Sequence, residues 1–356
     1  MSRAGHTLRL AELRGRDGPT YGGKSATLGE LIAAGIPVPP GFAVSTSAFR
    51  AFVEEAGLAA MIRGELARAS PDDIDSVGAA SQAISQAMRS APVPDAVRGE
   101  ITRRYVELAD EAGEAEAPVA VRSSALGEDG QDATFAGQQE TYLWVRGAEH
   151  VCDAVRDCWV SLYSPPAITY RAGLGGGEEE PAMGVAVQVM VDAEISGVMF
   201  TCNPVSGDPS MVAVNASWGL GLAVVGGEVT PDDYLVSKVT GEVVRENIHD
   251  KDVQYVPDSS GRGAVRVGVP EERRTCACLD APALEALVDI AARVERYFGG
   301  HQDVEWALAR GQRPPQGLFI VQSRPVTALR RRASPPPEGS AIDLVLGMFG
   351  ANRREG

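Results

Sequence analysis

The chain has 356 residues, with 33 Lys plus Arg against 48 Asp plus Glu and a formal net charge of −15. Hydrophobic residues at 44% and charged residues at 23% describe a globular protein with chain enough for about two domains. The acidic balance argues against duplex nucleic acid or an anionic membrane as the main partner, since both select basic faces.

The polar start, MSRAGHTLRLAELRG, has no apolar signal core, and a cytoplasmic location is expected. No apolar run reaches the ~18 residues that a membrane helix needs. Residues 1–95 read as mostly helical. KSATLGELIAAG places Leu28, Leu31 and Ile32 on one face and ends at Gly35 and the Pro-rich IPVPPGF. Residues 47–113 read as several amphipathic helices separated by Ser-Pro and Pro-Val-Pro breaks. The texture changes at Pro118, where PVAVRSS and ETYLWVR read as strands flanking the Gly-rich loop ALGEDGQDATFAGQQ. A helix is expected over 149–162, followed by a connector, GLGGGEEEP. MGVAVQVMV and ISGVMFTCN read as two strands around a turn at Asp192–Glu194, and MVAVNAS, YLVSKVT and EVVRENI as further strands. PALEALVDIAARVERYFGG is an amphipathic helix stopped by glycines, and DVEWALARGQRPPQGLFIVQSRPV a closing hairpin. The tail after Leu329, with RRRASPPPEGS, reads as a linker.

The five cysteines, Cys152, Cys158, Cys202, Cys276 and Cys278, are odd in number and scattered, which fits a reducing compartment. Cys276 and Cys278 form a C-x-C pair without a second pair, short of the ligand count of a zinc site. Gly18 to Ser25 matches G-x-x-x-x-G-K-[ST], so a P-loop NTPase is a rival reading. Against it, Pro19 removes one of the amides a phosphate cradle would use.

Three elements point to phosphate chemistry. Lys24 opens the first helix. Arg122 ends an apolar strand, and is either paired with Glu128 or Asp129 or aimed at phosphate beneath the Gly loop. Strand periodicity puts Asp303, Glu305 and Ala307 on one face of the closing hairpin, and Ile320, Gln322 and Arg324 on one face of its partner. If the strands pair, Glu305, Gln322 and Arg324 converge; the bland alternative is a surface hairpin with a Glu305–Arg324 salt bridge. A carboxylate beside an amide oxygen suits magnesium, with the guanidinium beside it for phosphoryl charge.

GGKSATLGELIAAGIPVPPGF, VAVRSSALGEDGQDATFAGQQETYL, QVMVDAEISGVMFTCNPVSGDP, ASWGLGLAVVGGEVTPDDYLV, DVEWAL and QSRPVTAL occur in this order. Over residues 8–329 they resemble the nucleotide-binding domain of the phosphoenolpyruvate synthase and pyruvate phosphate dikinase family, a domain also found in rifampicin phosphotransferase and phenylphosphate synthase. The resemblance implies an α+β ATP-grasp fold with ATP between two lobes. These are expected at 1–185 and 186–329, with a linker and tail at 330–356. It further implies that Lys24 and Arg122 contact the phosphates and that Gly137 and Thr141 lie in the loop over the nucleotide. Gln188 would sit on the adenine side, Glu305 and Gln322 would hold Mg2+, and Arg324 would bind the reacting phosphates. Lys24, Arg122 and Arg324 are the expected catalytic cations. Leu126-Gly127 and Thr134 depart from the family pattern without removing a charged group.

The family's phosphorylatable histidine motif is not matched around His6, His150, His249 or His301. The leading expectation is therefore an ATP-binding subunit of a split phosphotransferase. It would pass a phosphoryl or pyrophosphoryl group to a histidine on a partner chain, and the partner to a small acceptor such as pyruvate or a phenol. A self-sufficient small-molecule kinase and a regulatory nucleotide module are the alternatives.

Overall fold

The computed structural model describes residues 5–125, 140–173 and 181–326. Its first sheet is formed by β1 (Thr7–Arg9), β2 (Gly41–Val44), β3 (Val119–Ala125), β4 (Thr141–Val145) and β5 (Met183–Val189), in the order β1-β2-β5-β3-β4. Every neighbouring pair is antiparallel. Alternation along β3 and β5 decides its two faces. Val119 and Val121 pair with Val189 and Val187 on one face; Ala120, Arg122 and Ser124 pair with Gln188, Ala186 and Gly184 on the other.

The valine face is covered by helices. Between β1 and β2 lie the short α1 (Gly18–Tyr21) and α2 (Gly23–Ala33); α3 (Thr46–Glu55), α4 (Ala59–Arg68), α5 (Ile74–Ser90) and α6 (Asp95–Ala112) follow. After β4 come α7 (Ala148–Ser161) and α8 (Pro165–Gly173). Phe49, Phe52, Ile84, Met88, Val97, Ile101 and Trp159 form one core with the strand valines. Trp159 stacks on Phe52 at 5.3 Å between centroids, which fixes α3 against α7.

The second sheet has the order β13-β12-β6-β7-β8-β9. Its strands are β6 (Ala193–Phe200), β7 (Met211–Trp218), β8 (Asp232–Ser237), β9 (Val243–Asn247), β12 (Gln302–Ala309) and β13 (Leu318–Pro325). The turn-like α9 (Leu222–Val225) precedes β8, and a separate hairpin, β10 (Val253–Pro257) with β11 (Ala264–Gly268), follows β9. After α10 (Glu271–Arg274), the long α11 (Ala281–Phe298) closes the sheet's apolar face. Asp280 caps α11 by accepting from Ala283 N at 3.0 Å, and Gly299 ends it at φ 67°. Leu284, Leu287, Ile290, Ala291 and Val294 then pack with Val304, Trp306 and Ile320.

Leu10, Leu13, Leu28, Leu31 and Ile36 belong to this second core rather than to the first. Helix α2 therefore bridges the two sheets: its start meets β3 and its apolar side meets β13. Gly22 permits that approach, because a Cβ there would stand 2.1 Å from Ser124 O, and its φ is +85°.

Several expectations change. MGVAVQVMV and ISGVMFTCN do form strands, but not a hairpin: β5 lies in the first sheet and β6 in the second. β5 runs through 185/186 and stays in the first sheet to Val189, so the crossing between sheets lies at 190–192. The P-loop reading fails on geometry. Gly18–Tyr21 is helical, two 3-10 turns rather than a strand directly precede it, and among the described residues no strand pair in either sheet is parallel. The tail at 330–356 lies outside the described residues. No helix among the described residues is long and apolar enough to cross a membrane.

Candidate functional site

The closing hairpin sets the site's register. Asp303 faces Arg324 and Glu305 faces Gln322 across β12 and β13, so all four side chains share the sheet face turned away from α11. Beyond Glu305 the register slips: Trp306 faces Ile320, leaving Val321 as an extra residue on β13. This corrects the expected face of Ile320. It lies with Trp306 in the core, fully buried, and not beside Gln322. The alternative of a Glu305–Arg324 salt bridge is not what forms. Arg324 Nε donates to Asp303 Oδ2 at 2.8 Å, and Glu305 is not its partner. Periodicity places Asp303 on this face beside Glu305, but nothing in the sequence pairs it with Arg324.

Glu305 and Gln322 are half-buried, and among the described residues no side-chain hydrogen bond holds either of them. They offer hard oxygen donors. No group of three His, Cys, Asp or Glu side chains among the described residues is placed to hold a metal by itself. That set fits Mg2+, which binds through one or two protein ligands and keeps its other positions for water and phosphate. Cys276 and Cys278 gather no such group either; Cys278 is buried and Cys276 exposed.

Arg122 approaches the hairpin from the other lobe. Its Nη1 donates to Val321 O at 3.1 Å, one residue from Gln322. Its Nε is buried without an acceptor among the described residues. Thr141 is Arg122's cross-strand neighbour on β4, exposed on the same face. Ser123 N, next along β3, donates to Glu140 O at 3.2 Å.

Lys24 sits in the first turn of α2, 9% exposed. Ser25 N donates to Ser124 Oγ at 3.3 Å, which docks this helix start two residues beyond Arg122 on β3. Behind the strand, burial pushes the Cys158 thiol up, Glu140 and Asp157 add to this, and the charge of Lys24 opposes it. Gln188 is 2% exposed, and its Nε2 donates to Pro39 O at 3.3 Å. It thus ties β5 to the segment that leads into β2. Gly137 lies outside the described residues.

The structure therefore brings Arg122, Glu305, Gln322, Asp303 and Arg324 to one facing pair of sheets, and docks Lys24's helix beside Arg122's strand. Two cations from different lobes with a carboxylate–amide pair between them can grip a polyphosphate and its counterion.

Comparison with known proteins agrees with this chemistry. Residues 19–341 match the family "Pyruvate phosphate dikinase, AMP/ATP-binding domain". The chain is 40% identical over 322 residues to a probable phosphoenolpyruvate synthase of Methanocaldococcus jannaschii, covering 90% of this chain and 27% of that protein. It is 38% identical over 361 residues to phosphoenolpyruvate synthase of Pyrococcus furiosus, covering 91% of this chain and 44% of that one. The chain thus spans less than half the length of these relatives. A solved structure, PH1788 from Pyrococcus horikoshii, aligns with a TM-score of 0.33 and 13% identity over 88% of this chain and 94% of that one, too distant to carry an argument. From the family match across most of its length, this chain belongs to the pyruvate phosphate dikinase AMP/ATP-binding domain family.

Proposed function

We propose that this chain cleaves ATP and hands a pyrophosphoryl or phosphoryl group to a histidine carried on a partner polypeptide, for final transfer to a small acceptor. The observation that carries the reading is the 3.1 Å bond from Arg122 on β3 to the Val321 carbonyl on β13. It sets a first-lobe guanidinium beside the second-lobe carboxylate and amide, the arrangement a triphosphate between lobes requires.

The residues have separable tasks. Lys24 and Arg122 hold the nonreacting phosphate oxygens from the first lobe, and Arg324 meets the charge that develops on the transferred group. Asp303 orients Arg324 through its 2.8 Å contact. Glu305 and Gln322 would hold Mg2+, which when bound neutralises phosphate charge. Thr141 borders the phosphate end, and Gln188 lies on the adenine side. In the transfer, a histidine nitrogen forms a bond to phosphorus as the bridging P–O bond breaks, and AMP leaves with that oxygen when the group is pyrophosphoryl.

Three of the chain's four histidines have partners away from the site, and the fourth is exposed on a helix. His301 Nδ1 lies 3.0 Å from Glu295, and His249 Nδ1 lies 2.8 Å from Pro231 O. His6 Nδ1 lies 3.3 Å from Ser47 Oγ, and His150 is on the α7 surface. Relatives that extend well beyond the matched region support an acceptor outside it.

Incubation with β- and γ-labelled ATP and candidate partner proteins tests this. Label on a partner histidine together with AMP supports the proposal. ADP formed with a small acceptor and this chain alone would show a self-sufficient kinase instead.

A further inference from the structure

Two irregular strands meet where the lobes face each other. On β13, Val321 is the residue without a partner on β12, because Glu305 faces Gln322 and Trp306 faces Ile320. On β4, Val121 faces Tyr142 but Val119 faces Val145, so an extra residue is accommodated around Leu143 and Trp144. Trp144 adopts φ 58°, the left-handed region that a bulky side chain rarely enters. It is nevertheless buried, 6% exposed, in a small cluster with Ala193, Leu220 and Ala307, and Val321 packs against that cluster. Gly263 N donates to Trp144 O at 3.2 Å, tying the strained residue to the β10–β11 hairpin of the second lobe.

The bulged residue thus does two things at once. Its side chain is held by an apolar cluster built from both lobes, and its carbonyl accepts from Arg122 Nη1 at 3.1 Å. In a regular ladder, consecutive carbonyls of β13 would point along the sheet toward β12 or away from it; the bulge frees one to be re-aimed. Strain of the kind seen at Trp144 persists only where its surroundings over-determine it.

From this we infer that the paired bulges, Val321 on β13 and Trp144 on β4, form a positioning device that presets the Arg122 guanidinium for the phosphates of ATP. The inference rests on the phosphate role proposed for Arg122. Val321 and Trp144 are positioning residues: they act through Arg122 and need not touch the nucleotide's phosphates.

Deletion of Val321 is the direct test. It lets Glu305–Gln322 and Trp306–Ile320 follow each other in a regular ladder, keeps Asp303 opposite Arg324, and removes the carbonyl under Arg122. Affinities for ATP and for adenosine are measured by calorimetry, with melting temperature recorded for each protein. The deletion is expected to weaken ATP about tenfold while leaving adenosine within twofold, since only ATP offers phosphates to Arg122. In an Arg122→Ala background it should cost ATP affinity no further, because residues acting through one group are not additive. Trp144→Leu, which leaves the hairpin's length untouched, should give the same discrimination if the deletion protein does not fold.

Equal losses for ATP and adenosine would overturn the inference, as would a full additional loss in the Arg122→Ala background. If Arg122→Ala weakens ATP and neither the deletion nor Trp144→Leu does, the device is refuted and the phosphate role stands. If Arg122→Ala itself leaves ATP binding unchanged, both fall.

Discussion

Asp303 and Arg324 face one another across β12 and β13, with the guanidinium Nε 2.8 Å from Oδ2. The carboxylate is largely buried at 11% exposure and the guanidinium is half exposed. The pair therefore aims Arg324 more than it stabilises the fold. Arg324→Ala is expected to slow ATP cleavage about 10²-fold or more, as loss of a donor to developing charge does. Asp303→Asn should slow it about 10- to 100-fold, as loss of an orienting partner does. Both proteins should melt close to the wild type. Steady-state cleavage rates and calorimetry check this; a large drop in melting temperature would recast the pair as structural.

Glu305 makes no side-chain hydrogen bond among the described residues, so its removal leaves no buried partner unsatisfied. Glu305→Gln should raise the Mg2+ concentration for half-maximal cleavage about tenfold or more, as loss of a charged oxygen ligand does, with little change in stability. A magnesium titration of the cleavage rate decides it. An unchanged half-saturation point would remove Glu305 from the metal site.

A second ion pair has the opposite character. Lys251 and Asp232 are both fully buried, with Nζ 2.5 Å from Oδ1. Asp232 also accepts from His249 N at 3.1 Å and Cys278 N at 2.9 Å, so it ties β8 to the segment before β10 and to the loop before α11. Lys251→Ala strands that carboxylate and should cost about 3–5 kcal/mol of stability. At a temperature where the variant remains folded, its affinity for ATP should match the wild type. Denaturant unfolding and ATP titration separate the two effects.

Acid stability has a named contributor. Glu30 on α2 accepts from the Tyr297 hydroxyl on α11 and from Gly15 N, and these bonds hold its carboxyl below the ordinary range. A lowered folded value means that the unfolded state binds the proton first. The stabilisation is thus present above the ordinary carboxylate range and is lost as pH falls through the lowered value. Melting temperatures of wild type and Glu30→Gln should differ at neutral pH and converge as the pH drops through that window. A constant gap would exclude the linkage.

Much of the site was legible because it is written in local patterns. Period-two alternation was enough to place Glu305, Gln322 and Arg324 on one face. It was not enough to foresee the slip at Val321, because ladder register is set by main-chain bonds that side-chain types do not encode. The same slip moved Ile320 into the core. β5 and β6 read as a hairpin since two apolar runs flank turn-forming residues; which sheet each joins depends on partners about 70 to 110 positions away, such as Val119 opposite Val189 and Leu308 opposite Ile195. β1 and β2 have three and four residues, too few for a period to declare itself. Lys251 and Asp232 are ordinary charged residues in sequence, and only burial makes them a staple.

A crystal structure with a nonhydrolysable ATP analogue and Mg2+ decides whether the two lobes share one nucleotide. One triphosphate should be gripped from both sides, by Lys24 and Arg122 of the first lobe and by Arg324 of the second, with the metal on Glu305 and Gln322. A nucleotide bound wholly to one lobe, with Arg122 and Arg324 away from its phosphates, would contradict it.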